Sequence, residues 1–115
     1  MKESVVHDKA FTFALEIIRL YKKLVEHHEF VLSKQMLRCG TSIGANLEEA
    51  RAAQSRSDFY SKVTIASKVA RETVYWLRLL QKSQLVELDV AEYVEQAEEL
   101  VKLLTSILKT MGERR

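Results

Sequence analysis

The chain has 115 residues, a formal net charge of +2, no proline, three glycines and one cysteine. That length fits one domain spanning 1–115 with a single modest core, and so few turn formers exclude a strand-rich fold. No apolar run nears the ~20 residues of a membrane helix, the N-terminus lacks the apolar core of a signal peptide, and the lone Cys39 excludes an internal disulfide, so a cytoplasmic protein with no membrane segment is expected.

Charge is unevenly spread along the chain. Residues 1–29 carry five basic and five acidic groups, residues 30–86 nine and four, and residues 87–115 four and seven. A basic middle and an acidic end permit a polyanion site or head-to-tail contact between subunits.

Four helices are predicted. The first runs from about Asp8 to His28, with Ala14, Ile17, Ile18, Tyr21, Leu24, Val25 and His28 on one face. After the connector Glu29-Phe30-Val31-Leu32, Ser33 is the expected N-cap of the second, which carries Met36, Cys39, Gly40, Ile43, Leu47 and Ala50 on one side. Gly40 and Gly44 each cost roughly 1 kcal/mol against Ala inside a helix. Close approach of a neighbouring backbone offsets that cost, which marks Gly40, Ser42, Gly44 and Asn46 as a helix-packing seam. If buried, Asn46 needs a partner; Glu72 or Tyr75 could supply a bond that fixes helix register, or Asn46 could serve a polar contact in an assembly.

Ser55 or Ser57 caps the third helix, about Asp58 to Lys82. Phe59, Val63, Ala66, Ala70, Thr73, Leu77 and Leu80 make its core stripe. Lys68, Arg71, Tyr75, Arg78 and Lys82, spaced 3-4-3-4, form a basic stripe about 140° away. Ile65, Val69, Trp76 and Leu79 add an apolar band on the other flank. The apolar arc therefore exceeds what one bundle helix buries, and the surplus marks an oligomer interface with Trp76 as anchor. The fourth helix starts at Asp89, with Glu92 completing a capping box, and runs to about Met111, with Gly112 as its C-terminal cap. Four helices of about 20 residues with short connections predict an all-α, antiparallel up-down-up-down four-helix bundle.

The run Gln35-Met36-Leu37-Arg38-Cys39-Gly40-Thr41-Ser42-Ile43-Gly44-Ala45-Asn46-Leu47-Glu48-Glu49-Ala50 carries a family resemblance. So does the stretch from Phe59-Tyr60 through Ala66 and Glu72 to Tyr75-Trp76-Leu77-Arg78. Over most of its length the chain resembles the small bacterial four-helix-bundle proteins named after 23S rRNA intervening sequences. The resemblance implies an up-down bundle and a ring-like homo-oligomer, a pentamer being the favoured count. Members encoded inside rRNA intervening sequences are presumed to associate with RNA. A related branch, the accessory proteins of diversity-generating retroelements, resembles basic barrels that bind a reverse transcriptase and nucleic acid.

Catalytic signatures are weak. Glu48, Glu49 and Glu72 lack the Glu-x-x-His partners of a di-metal bundle site, and adjacent His27 and His28 point about 100° apart. Cys39 lies on an apolar face without a base, and Thr41 and Ser42 occupy no strand-turn-helix elbow. The expectation is a non-enzymatic protein with no cofactor and no metal. The basic stripe can neutralise phosphates, and Tyr75 can stack on a base. Two function classes follow: an oligomeric accessory protein binding RNA or DNA through Lys68, Arg71, Tyr75, Arg78 and Lys82, or a protein-interaction scaffold for a partner such as a reverse transcriptase, without nucleic-acid contact.

Overall fold

The computed structural model describes residues 2–113. Its helices are α1 (Lys2–Glu26), α2 (Leu32–Arg51), α3 (Arg56–Ser83) and α4 (Ala91–Glu113), joined by connections of five, four and seven residues. Each helix packs on two neighbours: α1 on α2 and α4, and α3 on α2 and α4. Among the described residues no helix backbone closely approaches the one diagonally opposite. The result is an antiparallel up-down-up-down bundle, 47 × 22 × 20 Å. Cross-helix pairs give the direction: Arg38 meets Glu72 while Glu49 meets Lys62, so the partner number falls as the other rises.

Both ends of α1 differ from the sequence expectation. Helix α1 reaches back to Lys2, and its buried stripe is Val6, Ala10, Phe13, Ile17, Leu20 and Leu24. Of the expected face only Ile17 and Leu24 are buried; Ile18 is exposed, while Ala14, Tyr21 and Val25 are half-buried. The helix has two apolar faces, and a single averaged face falls between them. His28 is not helical: it takes the left-handed conformation at φ 63°. Its N–H donates to Val25 O and that of Glu29 to Leu24 O. This paired arrangement is a Schellman stop, supplied here without glycine.

Ser33 does not cap α2. It lies inside the helix, fully buried. The cap is Glu29, whose carboxylate accepts from the N–H groups of Val31 (3.2 Å), Leu32 (2.9 Å) and Ser33 (2.7 Å). One side chain thus satisfies three of the four orphan donors of a helix start. Of the two serines open for α3, Ser55 is the cap, accepting from Asp58 N–H at 3.0 Å. At α4, Asp89 accepts from Ala91 N–H at 3.0 Å. The helix passes through Gly112 to Glu113, so Gly112 is not its cap.

The α2 stripe Met36, Cys39, Gly40, Ile43, Leu47 and Ala50 is buried. So is the α3 stripe from Val63 to Leu80, joined by Ser67, whereas Phe59 packs on its margin, half-buried. Helix α4 contributes Val94, Ala97, Leu100, Leu104 and Ile107. No helix among the described residues is long and apolar enough to cross a membrane.

Candidate nucleic-acid interface

The four expected seam residues divide between two sides of α2. A Cβ on Gly40 would lie 2.9 Å from both Cγ atoms of Ile17, and one on Gly44 would lie 3.7 Å from the carbonyl oxygen of Ala10. Both glycines therefore face α1. One turn further on, the ring of His7 ties the two helices: Nδ1 lies 2.6 Å from Glu3 O, and Nε2 lies 2.8 Å from Leu47 O. Ser42 and Asn46 belong to another side. Asn46 Nδ2 donates to Ser42 O at 2.8 Å and to Ser42 Oγ at 3.1 Å, within its own helix. The bond across to Glu72 or Tyr75 does not form, because a short amide reaches the preceding turn more readily than the next helix.

Glu72 instead holds a different network. Its Oε2 accepts from the Arg38 guanidinium of α2 and, at 3.0 Å, from Trp76 Nε1 one turn along α3. The Trp76 bond first, and then Arg38, hold the Glu72 carboxyl below the usual carboxylate range. Trp76 in turn contacts Tyr75 edge-on, with ring centroids 5.2 Å apart at 71°. Arg38 and Glu72 were legible only as separate charges, since their meeting depends on helix register.

The basic stripe lies on the outer face of α3. Lys68, Arg71, Arg78 and Lys82 are exposed, and Tyr75 between them is 59% exposed. None of the four cations forms an ion pair among the described residues. Arg71 donates to Thr105 Oγ1 of α4 at 3.4 Å and shares a shallow groove with Val74, Glu98, Val101 and Lys102. In the band beside Glu72, Ile65 and Leu79 stand open at 40% and 38%, while Val69 and Trp76 pack partly onto the core.

A second open apolar surface escaped the sequence reading. Phe11 (67% exposed), Leu15 and Ile18 form a ridge on α1 beside a groove floored by Thr41, Gly44 and Ala45. The signal was present as the i, i+4, i+7 spacing of Phe11, Leu15 and Ile18, masked by the stronger core stripe on the same helix.

Cys39 is fully buried, and desolvation pushes its thiol up, away from the reactive thiolate. No group of three or more His, Cys, Asp or Glu among the described residues could hold a metal ion.

A four-helix bundle with a glycine contact between its first two helices and an outward basic stripe on its third defines a class of small helical proteins. The chain belongs to the 23S rRNA-intervening sequence protein family, whose model matches residues 2–106. It is similar to a protein of unknown function of the S23 ribosomal protein family from Bacteroides thetaiotaomicron VPI-5482, known from a crystal structure. Identity is 52%, the TM-score is 0.89, and the match covers 95% of this chain and 99% of that one. No curated protein matches.

Proposed function

We propose that this protein is a non-enzymatic accessory protein that assembles into a homo-oligomer and binds RNA or DNA through the outer face of α3. One observation carries the reading: Lys68, Arg71, Arg78 and Lys82 share that face, exposed, with no carboxylate pairing any of them among the described residues. Cations left unpaired on one surface attract a polyanion, and each phosphate neutralised releases counterions. Assembly repeats the stripe and raises the local field. The band Ile65, Val69, Trp76 and Leu79 is the proposed self-contact, and a pentamer is the proposed count, in line with the family resemblance. A buried, protonated Cys39 suits a cytoplasmic protein without thiol chemistry.

Fluorescence anisotropy with labelled RNA and DNA at several salt concentrations tests the reading. Affinity falls with salt, with a log–log slope of about −0.9 per phosphate contact for duplex DNA. Arg71→Glu combined with Arg78→Glu weakens binding and flattens the slope while leaving the assembled mass unchanged. Lack of binding by the parent at low salt rejects this reading. It would leave the second one, a protein-only scaffold for a partner such as a reverse transcriptase, which the exposed ridge Phe11, Leu15 and Ile18 favours.

A further inference from the structure

We infer that the α3 surface selects single-stranded over duplex nucleic acid, with Tyr75 as a base-stacking platform and Glu72 as the residue that positions it. The inference rests on the nucleic-acid reading above and deepens it. Tyr75 lies four residues after Arg71 and three before Arg78, so a backbone tracking the cations passes directly over its ring. Tyr75 is 59% exposed and stands as a large aromatic group within the exposed row of Lys68, Arg71, Arg78 and Lys82.

It is also braced. Trp76 packs against it edge-on at 5.2 Å, the Trp76 indole N–H is held 3.0 Å from Glu72 Oε2, and the same oxygen accepts from Arg38 on α2. An aromatic surface fixed through two neighbours loses little conformational freedom when a base settles on it. Single strands offer unpaired base faces to such a ring. A duplex keeps its bases stacked inside and offers only phosphates, which the cations reach without Tyr75. Recognition is consequently tolerant of sequence, since every base has a π-face.

The test compares labelled oligo(U) and oligo(dT) of about 15 nucleotides, within the size range of single-strand sites, with RNA and DNA duplexes of the same length, by anisotropy at low salt. The single strands bind more tightly. Tyr75→Ala lowers single-strand affinity by roughly 5- to 160-fold, with duplex affinity, salt slope and assembled mass unchanged, and Tyr75→Phe retains parental binding. Glu72→Gln lowers single-strand affinity in the parent but not further in the Tyr75→Ala background, a non-additivity that general loosening of the bundle would not produce. Duplex binding equal to or tighter than single-strand binding overturns the inference alone, as does a Tyr75→Ala variant that loses both equally or changes mass. Binding of neither probe removes the nucleic-acid reading and this inference with it.

Discussion

Gly40 lies so close to Ile17 that a single added methyl would stand 2.9 Å from both of its Cγ atoms, whereas Gly44, one turn on, leaves ordinary contact distance to Ala10. The two glycines thus play unequal parts. Ile17 is β-branched and fully buried, so it cannot swing aside. Gly40→Ala sets an overpacking cost of about 1–3 kcal/mol against about 1 kcal/mol gained in helix propensity, and its melting temperature falls. Gly44→Ala gains the propensity without the clash and melts higher. Gly44→Leu drives a branched chain toward the Ala10 backbone and melts lower. Thermal denaturation followed by circular dichroism measures all three.

The Glu29 carboxylate and the Ser33 hydroxyl make opposite predictions at one helix start. Glu29→Ala leaves three backbone donors without their acceptor and costs about 2 kcal/mol, the upper end for loss of a helix cap. Ser33 Oγ is buried with no hydrogen-bond partner. Ser33→Ala removes an orphan polar group and places a better helix former, for a gain of up to about 1 kcal/mol. Urea titration at fixed pH distinguishes the two, with midpoints moving in opposite directions at unchanged slope.

Glu72 gives a pH dependence of defined sign. Its folded-state pKa lies below that of the unfolded chain, through Trp76 and then Arg38. Its stabilising contribution is therefore complete above the ordinary glutamate value of about 4.3 and is lost as pH falls from there through the lowered folded value. The side chain is 37% exposed, so solvent screening keeps the effect small. In Glu72→Gln, stability declines less steeply over that acid range than in the parent. Melting curves collected from pH 6 down to about 3 give the comparison, and identical slopes would refute it.

Much of this fold was legible because proline is missing, glycine is scarce and α2 and α3 each carry one dominant buried stripe. The first helix was harder: Val6 through Leu24 face the core while Phe11, Leu15 and Ile18 face outward, and periodicity alone averages the two. Ser33 misled because cap rules favour serine, whereas the cap in use reaches forward from Glu29 across the connector. The basic stripe could be read from spacing within one helix. The Arg38, Glu72 and Trp76 network could not, because it exists only once α2 and α3 are set in register.

Self-assembly has its own expected outcome. Light scattering gives a mass several times that of the 13.3 kDa chain, and Ile65→Glu with Leu79→Glu reduces it, because burying two unpaired carboxylates at the contact is unfavourable. A concentration-independent monomer would exclude assembly altogether.

Among the described residues each helix approaches only its two neighbours, which gives the bundle a roughly square section. Its two open apolar surfaces lie on adjoining sides, the ridge between α1 and α2 and the band on α3 next to the Arg38 and Glu72 contact with α2. Copies that met through one and the same side would be related by a two-fold axis and stop at a pair. Copies that join one side to a different one are each turned through a fixed angle, and such a chain closes into a ring when that angle divides the full circle. The subunit count therefore reports how many surfaces are in use: a mass of two chains means a single self-matching surface, and a closed ring of more than two means that each copy joins its neighbours through two different surfaces.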